Sequence, residues 1–247
     1  QRFRSGSTLW LTRQMDAVVA ISKASAKYLA EPPDAIIPHG IQIENFAPAE
    51  NKEQAWQALG YGGKYGIGIL GRVRKQKGVH LFVEACIEIL PKYPDYTAVV
   101  VGAISASHQE FVDGLKAKID KAGLSERIVF TGELPFERIP PIFSALSMVS
   151  ALSDNEGFGL TVLEAMSCSA AVLATQAGAW EEIIREDIDG HVVPVNDLSA
   201  VTAKMNSLLS DPVALKQKGL AGRTRVLGHY TVEREAKALV DLFKGLQ

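Results

Sequence analysis

The chain has 247 residues, 47% of them hydrophobic, enough to bury a sizeable core as one large domain or two small ones. Its 26 basic and 28 acidic side chains nearly cancel, so there is no polycation to neutralise a nucleic-acid backbone, and nucleic acid is not an expected partner. No apolar run reaches the roughly 20 residues that a membrane span needs, and Cys86 and Cys168 have no second cysteine or histidine at metal-ligand spacing.

Both cysteines stand in apolar helical stretches and read as the buried, reduced thiols of a cytoplasmic protein. The chain opens at Gln1 in a basic stretch, QRFRSGSTLWLTRQMD, without a signal-peptide pattern. The expectation is that something upstream has been removed.

In chain order, the first β-type runs are AVVAI (17–21) and AIIP (35–38), with the helical SKASAKYLA between them. Two strands and one helix are too few to close a core, so residues 1–46 read as the end of a domain whose beginning is absent. Near residues 46–64 the strand pattern stops and Pro, Gly and charge gather, and a linker is placed at 47–64. Six further runs follow: YGIGILG (65–71), TAVVVG (97–102), RIVFTG (127–132), MVSAL (148–152), AAVLAT (170–175) and GHVVP (190–194). Near-continuous hydrophobicity within each implies burial on both faces, as in a parallel sheet covered by helices. Helical stretches such as VHLFVEACIEILPKY and QEFVDGLKAKIDKAG lie between them, and VEREAKALVDLFKGL ends the chain. The fold class is α/β, a Rossmann-like, doubly wound parallel sheet.

Ligands of such sheets bind outside the carboxyl ends of the strands, where helix N-termini offer free amides to phosphate. GRVRKQKG (71–78) follows one strand directly: Gly71 permits a tight turn, and Arg72 and Lys77 stand where a pyrophosphate would arrive. Taken alone, this loop also fits a solvated basic surface. SDNEGFGL follows another strand with turn chemistry, then a helix begins, so the amides near Gly159, Leu160 and Thr161 face the strand ends. Glu156 lies in that loop and Glu164 in the helix, among the apolar neighbours Leu163, Ala165 and Met166. A carboxylate accepts two hydrogen bonds, which suits a ribose diol or a sugar hydroxyl. The bland alternative for Glu156 is an acid favouring the helix dipole, and for Glu164 an exposed helix position.

Several motifs are decoys. Asp187-Ile188-Asp189 spells a DxD, but Asp189-Gly190 leads straight into a strand and reads as a turn. The five histidines show no paired carboxylates at ligand spacing, so no metal is expected. VVVGAISAS lacks the later glycines and the acid of a dinucleotide fingerprint, and GxSxG is absent.

EGFGLTVLEA with its Glu-x7-Glu spacing, together with GRVRKQKG, AVVAISKASAKYL and IIPHGIQIENF, resembles the retaining GT-B glycosyltransferases of family 4 over nearly the whole chain. The resemblance implies a hexosyltransferase in which residues 65–228 bind a nucleotide-sugar donor. Arg72 and Lys77 would hold its diphosphate, Glu156 would lie beside the transferred sugar, and Glu164 would bind the ribose. Residues 1–46 would be the end of an acceptor-binding domain, and 229–247 a helix that crosses back to it. The N-terminal segments look like the lipopolysaccharide-core mannosyltransferases. That implies GDP-mannose as donor, a saccharide or lipid-linked acceptor, and peripheral contact with the inner membrane face through the absent domain.

Gly102, Leu134 and the main chain near Glu133 are expected to flank the base, with guanine and uracil both open on the residues alone. No acid is identifiable as a nucleophile on the far face of the sugar, and the resemblance implies the family's usual front-face route, assisted by the leaving diphosphate. CSAAVLAT and the alanines flanking Gly178 depart from the family's usual glycine and proline, away from the proposed ligand groups. A rival reading is a nucleotide-sugar-binding fragment without turnover, because the acceptor half is missing.

Overall fold

The computed structural model describes residues 6–246. A short helix, α1 (Gly6–Thr12), precedes two brief parallel strands, β1 (Val19–Ala20) and β2 (Ala35–Ile36), which bracket α2 (Lys23–Ala26). After α3 (Lys52–Leu59) come β3 (Tyr65–Leu70), α4 (Val79–Ile89), β4 (Tyr96–Val101), α5 (Gln109–Lys121) and β5 (Ile128–Gly132). The chain continues through α6 (Ile139–Ala145), β6 (Leu146–Ala151), α7 (Leu160–Ser167), β7 (Ala171–Thr175), α8 (Trp180–Ile183) and β8 (Gly190–Val193). Three helices close it: α9 (Leu198–Ser210), α10 (Pro212–His229) and α11 (Val232–Gly245).

Strands β3 to β8 form one all-parallel sheet in the order β5-β4-β3-β6-β7-β8. The chain winds outward from β3 to β5, returns to lay β6 beside β3, and winds outward the other way. The reversal between β3 and β6 is the topological switch point, where a crevice opens at the strands' carboxyl ends. Every residue of β4 and β7 is buried, because helices cover both faces. Phe82, Leu115 and Met205 from α4, α5 and α9 pack one face; Trp56, Phe143, Leu163 and Val226 from α3, α6, α7 and α10 pack the other. The sheet and its strand positions match the sequence expectation to within two residues.

The stretch 47–64, read as a linker, is packed onto the sheet. Asn51 caps α3 by accepting from the Gln54 amide at 3.1 Å, and Gly60 ends it at φ 77°. Trp56 is fully buried, its Nε1 donating to the Gly62 carbonyl at 2.7 Å. A Cβ on Gly66 would stand 2.2 Å from the Trp56 ring, so the glycine of YGIGIL makes room for it. The hydrophobic count of this stretch is low because one tryptophan supplies most of its burial.

At the far end, the chain between α10 and α11 crosses residues 37–41. The Ile41 amide donates to the Tyr230 carbonyl at 3.0 Å, and the Val232 amide donates to the Ile41 carbonyl at 3.2 Å. Among the described residues, no helix is long and apolar enough to cross a membrane.

Candidate active site

Three loops at the switch point are locked together by glycines. A Cβ on Gly102 would lie 1.9 Å from the Gly71 carbonyl oxygen, and one on Gly78 would lie 2.1 Å from that of Leu152. The first clash joins the loops after β3 and β4; the second joins those after β3 and β6. The backbone is further tied by Val73 donating to Ala103 at 3.0 Å and Asp154 donating to Gln76 at 3.0 Å.

Within this frame, residues Lys75–Lys77 form a 3-10 turn that brings Lys77 to the loop after β6. Its Nζ lies 2.8 Å from Oε1 and 2.7 Å from Oε2 of Glu156, both side chains being largely buried. The loop is held from behind: Trp180 Nε1 donates to the Gly159 carbonyl at 3.2 Å, and a Cβ on Gly178 would stand 2.8 Å from the Glu156 carbonyl oxygen. Gly159 adopts φ 90° and starts α7 without a side-chain cap, which leaves the first amides of that helix unclaimed by any capping group. Leu160 is exposed and Thr161 half-buried.

Glu164 sits one turn into α7, half-buried, and no hydrogen-bond partner is found for its carboxylate among the described residues. Burial alone pushes its carboxyl up to about 7. A carboxylate kept there without a cation is held for something outside the chain or tolerated at a cost.

A cleft of about 1050 Å³ opens beside the ion pair, between Lys77, Glu156 and Gly178 on one wall and residues of the 19–29 segment, including Tyr28, on the other. It brings together two of the residues singled out from the sequence. Arg72 is exposed and outside its wall, whereas Arg74, which the sequence reading passed over, lines it with its Nε buried and unpartnered. Arg74 stands in an extended conformation just before the 3-10 turn, and spacing alone did not show which arginine of GRVR turns inward.

Gly102 and Gly132 meet through an amide-to-carbonyl bond of 3.0 Å, Leu134 packs partly buried on the α7 side of the core, and Glu133 is exposed. None of these four residues lines the cleft.

The DxD decoy is a turn in the structure too: Asp189 is fully buried and held by Arg185 at 2.6 and 2.8 Å. Spacing along the sequence pairs no histidine with carboxylates as metal ligands, but the turn folds His191 back to within 2.8 Å of Glu186 and 3.5 Å of Asp187. Lys204 supplies a cation there, its Nζ 3.1 Å from Glu186 and 3.2 Å from His191.

Residues 50–225 match the family model described as glycosyl transferases group 1. The chain belongs to that family. Over 246 residues this group 1 glycosyltransferase is 42% identical to the lipopolysaccharide core biosynthesis mannosyltransferase LpcC of Rhizobium leguminosarum bv. viciae, covering all of this chain and 69% of the relative. It is 37% identical to the mannosyltransferase LpsB of Rhizobium meliloti (strain 1021), covering all of this chain and 70% of that one. Its fold matches the crystal structure of the C-terminal domain of LpcC from Francisella tularensis with a TM-score of 0.76 and 42% identity, over 78% of this chain and 100% of that one. Anabaena HepE in complex with UDP superposes with a TM-score of 0.86 at 22% identity, over 96% of this chain and 66% of that one, a likeness of fold. The architecture is therefore that of the C-terminal domains of GT-B glycosyltransferases.

Proposed function

We propose that this chain transfers mannose from GDP-mannose, with retention, to a saccharide or glycolipid acceptor such as lipopolysaccharide core. The observation that carries the reading is the Lys77–Glu156 pair at the switch point, beneath the open amides of α7. The identity with LpcC and LpsB supports the choice of sugar and acceptor class.

In this reading Lys77 holds the donor diphosphate from the cleft wall and Arg72 swings onto it from the exposed edge of the same loop, with the amides of Gly159, Leu160 and Thr161 completing an anion site. Lys77 is shared between Glu156 and the incoming phosphates, so the free site is charge-balanced before the donor arrives. Glu156 then meets the transferred hexose, and Glu164 accepts from the ribose diol. Gly102 and Leu134 flank the base. The cation and amides stabilise negative charge building on the leaving diphosphate, the electrostatic contribution that is often largest in such reactions. On this account no metal is needed. Residues 65–228 form the donor domain, and residues 19–29, across the cleft, belong to the acceptor side.

The test is calorimetry with GDP, UDP, GDP-mannose and guanosine, followed by transfer assays with glycolipid extract and anomeric analysis of the product. UDP binding more tightly than GDP would overturn the donor assignment, and an inverted anomer would overturn retention.

A further inference from the structure

We propose that His39 is a positioning residue that ties the interdomain chain crossing to the loop carrying Glu156. His39 lies in the segment that pairs with the start of α11. Its Nδ1 stands 2.8 Å from Oε1 of Glu235, and the neighbouring Gly40 amide donates to Oε2 of the same carboxylate at 2.8 Å. Glu235 thus grips two consecutive residues of the crossing. The register is fixed, because a Cβ on Gly40 would stand 2.2 Å from the Thr231 backbone.

The imidazole also packs against the loop that carries Glu156. Its ring meets Phe158 at 5.3 Å between centroids and 84° between planes, an edge-to-face contact, and Phe158 is buried. Phe158 is flanked by Gly157 and Gly159, so its backbone has little stiffness of its own, and it lies two residues from Glu156. Trp180 and Gly178 hold the loop from the α8 side. His39 is the contact from the crossing side, and it alone joins α11 to the loop among the described ring and hydrogen-bond contacts of Phe158. Displacement of α11 or of the crossing therefore reaches Glu156 through Glu235, His39 and Phe158. The sugar end of the donor site should feel this more than the phosphate end, which shares Lys77 and the amides of Gly159 and Leu160 with this loop but is anchored on α4 and α7. The ligand half of this inference rests on the donor reading above.

The experiment compares the wild-type chain with His39→Ala, His39→Phe and Glu235→Gln by hydrogen exchange of residues 156–160 and by calorimetry with GDP and GDP-mannose. His39→Ala should speed exchange in 156–160 while leaving α4 and α9 protected. It should weaken GDP-mannose more than GDP, erasing about two- to tenfold of any preference for GDP-mannose over GDP, the loss expected for one aromatic pair. His39→Phe keeps a ring against Phe158 and should retain loop protection, but it should no longer respond when Glu235→Gln is added. Unchanged loop exchange in His39→Ala, exchange that rises across the whole chain, or equal losses for both ligands would each overturn the proposal. If wild type binds neither ligand, the donor reading fails, and the exchange measurements still decide whether His39 sets the loop.

Discussion

The Lys77 ammonium lies 2.8 and 2.7 Å from the two carboxylate oxygens of Glu156, so the proposed phosphate ligand and the proposed sugar ligand neutralise each other in the free chain. Removing either member therefore changes the other's behaviour. Lys77→Ala should weaken GDP by about 1.5–3 kcal/mol, the worth of a charged hydrogen-bond partner, with little effect on guanosine. Arg72→Ala should act in the same direction. Calorimetry giving equal losses for GDP and guanosine would place the diphosphate elsewhere.

Glu156→Gln has the opposite signature. It frees Lys77 and removes a negative charge beside the phosphates, so GDP should bind at least as tightly as to wild type. GDP-mannose should lose its added affinity, and turnover should fall. A Glu156→Gln chain that loses GDP and GDP-mannose equally would contradict the division of roles.

Glu164 should behave differently again, because ribose is common to both ligands. Glu164→Ala should weaken GDP and GDP-mannose alike, by about 1.5–3 kcal/mol. Burial raises this carboxyl to about 7, and a diol donates to the ionised form, so affinity should climb as pH rises toward and through 7, with a proton released on binding at pH 6 to 6.5. The stability linkage has the other sign. A folded pKa above the ordinary carboxylate value favours the folded chain at low pH, and that contribution is lost as pH rises from the unfolded value of 4.5 through about 7. Glu164→Gln should flatten both profiles, as read by calorimetry in buffers of different ionisation enthalpy and by denaturation.

Strand positions were legible because β4 and β7 are buried on both faces and so read as unbroken apolar runs. The pairing of loops after β3 and β6 was legible too, since a parallel sheet puts both at one edge. Side-chain direction was not. Arg72 and Arg74 differ by two residues in a loop whose path is set by the Gly71–Gly102 and Gly78–Leu152 contacts, long-range packing that no local pattern encodes. The packing of α3 was hidden for a similar reason: Trp56 finds its cavity only because Gly66, on a strand, lacks a side chain. His191 meets Glu186 across a turn in which Asp187 takes φ 63°, so a search at helical spacing missed it.

Lys52 tests the same packing by a different route. Its Nζ donates to the carbonyls of Ser144, Leu146 and Cys168 at 3.0, 2.6 and 2.8 Å, and burial lowers its pKa to about 8. A basic group depressed below its unfolded value of 10.5 costs folded-state stability when both states are charged, so stability should rise as pH goes from about 8 to 10.5. Lys52→Met should remove that rise. It should also destabilise the chain near neutral pH, because three carbonyls lose their donor, each unsatisfied group costing about 1–3 kcal/mol. Urea denaturation at pH 7 and 9.5 would show both effects.

Two glycine substitutions separate backbone strain from loss of the site. Gly102 has φ 152°, and an added Cβ would meet the Gly71 carbonyl oxygen at 1.9 Å. Gly102→Ala must push the loops after β3 and β4 apart, at a cost of about 1–3 kcal/mol for the strained backbone and more for the clash. Because Gly71 immediately precedes Arg72, GDP affinity should fall at temperatures where the chain is still fully folded. Gly114 is the control: it lies within α5, and an added Cβ would find no atom within 4 Å. Gly114→Ala should raise stability by about 0.8–1 kcal/mol, the helix preference of alanine over glycine, and leave GDP affinity unchanged. If Gly102→Ala is as stable as wild type and binds GDP equally well, the contact between the two loops does not shape the phosphate end of the site, and Arg72 is positioned by something other than the glycine crossing.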